Sequence, residues 1–291
     1  MNYRYSAVIA TIANSFSDAL LDYSVNKYNY YKVLLYTSIV AFLLQYLFGA
    51  LTDIEWTPES VPYLFIHAIL VLLGYVCFVK SLEYLPLGLV GLIESSNLFI
   101  TLSVDSVIGY IKITPYFMLM FSIFISSIVI FSKDCLLKKQ SCIKHFKLIG
   151  FVWVFASVIF YVSAPYLVKI SDNLGANEIA INLVYYLLAI PYFAYLYYFK
   201  KPQTKFIEIN KYWWNNVFFL CLIIGLLESI YFILETFSFI NDAPTIVMII
   251  SQLRIFLIFG LSVLFKMDTF SIRKGFAVIL GVLSIIGVYF N

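Results

Sequence analysis

Residues 61–82, VPYLFIHAILVLLGYVCFVKSL, and residues 86–110, PLGLVGLIESSNLFITLSVDSVIGY, are two apolar runs with three residues between them. A helix rises 1.5 Å per residue, so about 17–25 apolar residues cross a hydrocarbon core about 30 Å thick. Both runs meet that length. Pro58 and Pro62 open the first and Pro86 the second, near first-turn positions that tolerate a missing N–H. The same ruler applied outward gives eight more runs, at 4–24, 30–50, 114–132, 148–170, 176–199, 215–240, 244–265 and 270–290. The 291-residue chain therefore reads as an all-α membrane protein of ten transmembrane helices.

Composition agrees. Hydrophobic residues make up 63% of the chain and charged residues 12%, where a soluble domain keeps roughly a quarter of its residues charged. Half that supply cannot cover a water-facing surface, whereas lipid tails accept apolar side chains without penalty. The net charge of +3 and the lack of a basic run interleaved with aromatics exclude a nucleic-acid partner. No small-residue cleavage pattern follows the first apolar run, so that helix is expected to stay. Cys77, Cys135, Cys142 and Cys221 have no zinc spacing and read as packing residues or free thiols. No metal site and no cofactor are called for.

Two hydrophilic loops interrupt the spans, 133–147 (KDCLLKKQSCIKHFK) and 200–214 (KKPQTKFIEINKYWW), the second ending on the interface anchors Tyr212, Trp213 and Trp214. The first loop leaves five spans on each side, so 1–132 and 148–291 form two five-helix repeats joined by a basic linker. A shift of 157 residues lays 86–131 over 243–288, matching Thr114 with Ser271 and Asn97 with Arg254. Five is odd, so the second copy enters the membrane from the opposite side. That is an inverted repeat, a transporter plan with the ligand site at the repeat interface. Pro165 and Pro191 lie inside spans and are expected to kink them.

Fifteen of the nineteen Lys and Arg fall in loops that follow odd-numbered spans. Arg4, Lys112 and Lys169 fall on the other side, and Arg254 lies within a span. The positive-inside rule then puts both termini outside. An integral, multi-pass protein of the plasma (inner) membrane is the expectation.

Ionisable residues at bilayer depth face a cavity or a partner, because lipid cannot solvate them. Here they form stripes. Asn14, Asp18 and Asp22 share one face of the first span; Glu94, Asn97, Thr101 and Asp105 share one face of the fourth. Glu228, Tyr231, Glu235 and Ser238 do so on the eighth, Ser251 and Arg254 on the ninth, Glu178 and Asn182 on the seventh, and His67, Gly74 and Ser81 on the third. Such faces line a water-accessible cavity, and the 19% aromatic content supplies its walls. The candidate substrate-binding residues are Asp18, Glu94, Asn97, Glu228, Tyr231, Glu235 and Arg254. Carboxylates beside aromatic rings suit a cationic or zwitterionic organic solute, and a buried carboxyl suits a coupling proton or cation. Plainer readings stand beside these. Asp22, Asp105 and Glu178 lie near span ends and can reach headgroups; Lys80 and Glu83 make a surface pair; Arg254 either contacts ligand or pairs with Glu94 or Glu235.

No enzyme signature is present: no GxSxG elbow, no HExxH, no phosphate-binding glycine loop, and two histidines, His67 and His145. Secondary transport of a small molecule across the lipid bilayer is the leading reading. Multidrug or aromatic-compound efflux is the nearest alternative, and a non-transporting receptor or assembly subunit is the alternative of another class.

Residues 242–289, DAPTIVMIISQLRIFLIFGLSVLFKMDTFSIRKGFAVILGVLSIIGVY, resemble the last two helices of EamA-type members of the drug/metabolite transporter superfamily. The positions that carry the likeness are Asp268, Phe270, Ser271, Gly275 or Gly281, and Gly287-Val288; YLPLGLVGLIESSNLFITL carries it more faintly in the first half. The resemblance implies ten helices in two inverted EamA-like repeats and alternating access. It also implies a central cavity lined mainly by spans 1, 3, 4, 6, 8 and 9. The chain departs from the family at Asn97 and Arg254, where members usually carry Pro, and at Asp268, where they usually carry Glu. Without those prolines the fourth and ninth spans have no evident reason to bend. Members also typically place both termini in the cytoplasm, against the charge distribution here.

Overall fold

Four helices begin on a side-chain cap of the kind that satisfies the orphan N–H groups of a first turn. Asn29 Oδ1 accepts the Tyr31 and Lys32 N–H groups (3.1 and 3.4 Å), Thr114 Oγ1 that of Phe117 (3.2 Å), Asn177 Oδ1 that of Ala180 (3.0 Å) and Ser271 Oγ that of Lys274 (3.1 Å). Prolines also mark starts: Pro86 precedes one helix, Pro244 is the first residue of another, and Pro115 is the first residue of the helix that Thr114 caps.

The computed structural model describes residues 3–108, 112–137, 147–199, 213–241 and 244–289. Cys142, His145, Tyr212 and most of both hydrophilic loops lie outside the described residues, as do the side chains of Trp213 and Trp214. The described part is all α-helix: α1 Tyr3–Lys27, α2 Tyr30–Thr52, α3 Val61–Leu82, α4 Leu87–Glu94, α5 Ser96–Ile108, α6 Pro115–Leu137 and α7 Ile149–Val162. There follow α8 Ala164–Asn173, α9 Glu178–Phe199, α10 Trp213–Asn241, α11 Pro244–Gln252, α12 Arg254–Leu264 and α13 Ile272–Tyr289. Three pairs, α4/α5, α7/α8 and α11/α12, each make one interrupted span, so thirteen helices form the ten spans that the apolar runs predict. Eight spans, all but α1 and α13, are long and apolar enough to cross a membrane.

The interruptions correct the sequence reading. Span 6 is interrupted at Ser163, just before Pro165, and α9 carries Pro191 inside one continuous helix. Spans 4 and 9, which carry no proline at these points, are broken at Ser95 and Leu253. At both points the ladder tightens to three-residue spacing: Leu98 N–H reaches Ser95 O and Phe256 N–H reaches Leu253 O, each at 3.3 Å. The Ser95 hydroxyl takes the Gly91 carbonyl at 2.9 Å and so competes with the backbone ladder. Leu253 has no such hydroxyl, and its break falls one residue before Arg254.

The chain divides into two compact units, and each draws on both halves of the sequence. Unit 1 is Met1–Leu72 with Ser163–Asn241; unit 2 is Leu73–Val162 with Asp242–Asn291. In unit 1, α1 lies along α10, and α2 packs on α9 and α10. Gly225 permits the α2–α10 approach, since a Cβ there would come within 2.9 Å of the Thr37 carbonyl oxygen. The 53–60 loop is tied to the α8–α9 turn by Thr57 Oγ1 donating to Leu174 O (2.5 Å) and by the Asn177 N–H donating to Glu55 O (3.1 Å). In unit 2, α6 lies along α13, α4 on α12 and α5 on α11. A Cβ on Gly281 would stand 2.7 Å from Leu92, whereas one on Gly275 would meet only ordinary contacts, so Gly281 is the packing glycine of the two.

Large apolar side chains point outward at helical spacing, for example Phe276, Ile279, Leu283 and Ile286 on α13 and Phe65, Ile66, Ile69 and Leu73 on α3. Meanwhile Asp18, Asp22, Glu94, Asp105, Asp134, Glu228 and Lys274 are buried. Water would reverse that distribution; lipid supports it.

Candidate functional site

The seven candidate residues divide between the two units. Glu94, Asn97 and Arg254 belong to unit 2, and Asp18, Glu228, Tyr231 and Glu235 to unit 1.

In unit 2, Glu94 is the last residue of α4 and Arg254 the first of α12, so each charge sits at a helix interruption. Arg254 Nη2 donates to Glu94 Oε2 at 2.5 Å, and Ser157 Oγ of α7 donates to Glu94 Oε1 at 2.9 Å. The carboxylate therefore meets one cation and one hydroxyl, and this decides the pairing of Arg254 that the sequence leaves open. Asn97 is half-buried one turn further on, where its Oδ1 lies 3.5 Å from the Thr101 hydroxyl. At the far end of α5, Asp105 is buried and accepts a 3.0 Å hydrogen bond from Thr245 of α11. It is a helix–helix tie rather than a headgroup contact.

In unit 1, α1 presents Asn14 and Asp18 (8% and 6% exposed) and the fully buried Asp22. Ser238, near the end of α10, donates to the Tyr3 carbonyl at 3.0 Å, so the two helices can lie side by side only antiparallel. At 1.5 Å per residue this register brings Asn14 to within about one turn of the level of Glu228. Glu228 is 6% exposed and within electrostatic reach of Tyr185 and Tyr186 on α9. Those two rings, with Tyr231 and Phe232 of α10, form one aromatic cluster: Tyr185–Tyr186 at 4.9 Å, Tyr185–Phe232 at 5.3 Å, Tyr186–Phe232 at 5.9 Å and Tyr231–Phe232 at 5.0 Å between centroids. Beside it Thr236 Oγ1 donates to Asn182 Oδ1 at 3.1 Å. The Tyr186 hydroxyl and the Asn182 amide nitrogen are buried without a hydrogen-bond partner among the described residues. Tyr231 and Glu235 are half-buried on the same helix.

The arrangement separates two electrostatic roles. Glu94 and Arg254 neutralise each other, so among the seven candidate residues the unpaired acids lie on unit 1, next to aromatic faces and two donors. Sequence reasoning missed Ser157, Tyr185 and Tyr186. One serine in an apolar helix and two of 24 tyrosines carry no signal of their own. Among the described residues no group of three or more acidic, His or Cys side chains could hold a metal ion. Cys77, Cys135 and Cys221 are buried and form no disulfide among the described residues.

No protein-family model and no curated protein sequence matches the chain. Solved structures do: 28 chains match, one of them from a structure described only as "Crystal structure of protein", with a TM-score of 0.64 over 99% of this chain and 95% of its own, at 13% identity. Identity that low shows the fold alone: this is a multi-pass helical membrane protein of a fold already seen in solved structures.

Proposed function

We propose that this protein is a secondary transporter for a small organic solute bearing a positive charge, cationic or zwitterionic, working by alternating access. The observation that carries the reading is Glu228, a carboxylate buried within a span and within electrostatic reach of Tyr185 and Tyr186, two members of a cluster of four aromatic rings. A carboxylate and π faces together recognise an organic ammonium group by charge pairing and cation–π attraction. The Asn182 amide and Tyr186 hydroxyl are donors fitted to an acceptor such as the carboxylate of a zwitterion. Asp18 and Glu235 add acceptors from α1 and α10.

Other features support transport by a two-fold plan of the EamA-type drug/metabolite transporter kind. Spans 2 and 7, 4 and 9, and 5 and 10 pack on one another, and these are counterparts if five spans repeat. Thr114 and Ser271, which the 157-residue shift superposes, cap the last helix of each half. Interrupted helices with charged residues at the breaks suit a moving ion or solute pathway. A second reading, efflux of aromatic compounds, draws on the same aromatic cluster and differs in needing no carboxylate.

A thermal-shift panel of metabolites on the detergent-purified protein tests the proposal. A cationic or zwitterionic compound at a hundred times its Kd stabilises by about 2.7 kcal/mol, and Asp18→Asn or Glu228→Gln abolishes the shift. Stabilisation by neutral aromatics that survives Glu228→Gln favours the efflux reading. A panel with no responder, together with carboxylates that tolerate neutralisation, rejects both.

A further inference from the structure

Where the last turn of α6 meets the turn before α13, three charged side chains are withdrawn from solvent. Asp134 and Lys274 are 0% exposed and Asp268 is 3% exposed. Lys274 Nζ donates to Asp268 Oδ1 at 2.5 Å and to the Thr269 carbonyl at 3.3 Å, and stands 5.6 Å from the centre of the Phe131 ring. The Thr269 N–H also donates to Asp268 Oδ1, at 2.7 Å. Ser271 Oγ donates to Asp134 Oδ2 at 2.6 Å. The other oxygen of each carboxylate, Asp134 Oδ1 and Asp268 Oδ2, is buried and meets no hydrogen-bond donor among the described residues. The two acids act on each other electrostatically.

Two carboxylates against one ammonium leave one negative charge. The neighbouring described groups do not supply its partner. On α6, Lys133 is exposed and Cys135 is a buried thiol; Lys266 and Arg273 are exposed. The helices packed on α6 and α13 are α4, α11 and α12. They bring only Glu94 and Arg254, which pair with each other. An unpaired buried charge costs several kcal/mol, and such a group takes up a proton or a counter-ion instead.

We propose that Asp134 and Asp268 form a site for one monovalent positive charge, a shared proton or an alkali-metal cation, where spans 5 and 10 pack together. The site is separate from the solute pathway proposed above and does not depend on it. Too few acidic groups meet here for a divalent ion, which needs six or more oxygen ligands. Burial pushes the Asp268 carboxyl above the ordinary carboxylate range; Lys274 and the Thr269 N–H oppose this, and Asp134 reinforces it. A raised folded-state pKa gives stability that is complete below the ordinary carboxylate value and is lost as pH rises through the raised one.

The test is thermal stability of the purified full chain between pH 4 and 8, with sodium, potassium or N-methylglucamine chloride at equal ionic strength. A shared proton predicts a melting temperature that falls with rising pH more steeply in the wild type than in Asp134→Asn, with no preference among the salts. An alkali-metal cation predicts that sodium or potassium raises the wild-type melting temperature above that in N-methylglucamine, and that Asp134→Asn loses this gain. Ser271→Ala keeps both acids and removes the donor to Asp134 together with the α13 cap; it changes the slope of the pH profile or the size of the cation gain and not only the melting temperature, and it serves if Asp134→Asn fails to fold. Wild type and variants with parallel pH profiles and no cation preference overturn the proposal.

Discussion

Glu94 shares its carboxylate between the Arg254 guanidinium and the Ser157 hydroxyl, and each charge is tolerable in the membrane because the other is there. Removing one member leaves the second uncompensated, which for a buried pair costs about 3–5 kcal/mol. Glu94→Gln and Arg254→Met are each expected to lose about that much in denaturant or thermal unfolding. The double variant should recover most of it, and a double-mutant cycle reads the coupling directly. Strictly additive losses would mean that the pair does not interact. The same cycle with transport as readout separates a structural pair from a ligand contact, because a ligand contact stays lost in the double variant. At this scale the sequence located the charges but not their partners. Spacing puts Glu94 and Arg254 on polar faces, yet whether Arg254 turns to Glu94 or Glu235 depends on which helices touch. Apolar periodicity does not encode that, and Ser157 looks like any small residue in an apolar helix.

Spans were legible because a 30 Å slab demands a fixed length of apolar chain, and prolines and Asn, Thr or Ser caps mark where each begins. The breaks at Ser95 and Leu253 were not legible, since hydropathy runs straight through both. The break in span 4 also sets what a proline at Asn97 would do. Asn97 is the second residue of α5, inside the first turn, where a proline costs little. Asn97→Pro should therefore change stability by less than about 1 kcal/mol. Ser103→Pro, in the interior of α5, should cost about 3 kcal/mol or more. Melting temperatures of the two purified variants decide it, and equal damage from both would mean that span 4 is continuous in the membrane.

Across the whole chain the charge bias fixes a prediction that the family resemblance opposes. With fifteen Lys and Arg on one side, a C-terminal reporter active only in the cytoplasm should stay dark, and a bright one reverses the orientation. The five-helix repeats read from the sequence follow one another along the chain; the compact units are a different division, which takes α1, α2, α9 and α10 together and α4, α6, α12 and α13 together. A hydropathy trace has one dimension and cannot display such interleaving. Fragments 1–137 and 147–291 expressed separately should therefore be degraded, while their co-expression should restore a protease-resistant complex. Stable accumulation of either fragment alone would count against the interleaved units.

This interleaving bears on how the protein is made. Helix α1 leaves the ribosome with its Asn14, Asp18 and Asp22 face complete, but its packing partner α10 begins 186 residues after α1 ends. At about 5–20 residues per second that is a wait of roughly 10–40 s. The most polar of these spans is thus inserted ahead of the other nine and buried late, and neither unit can close until the helices from α10 onward have been made.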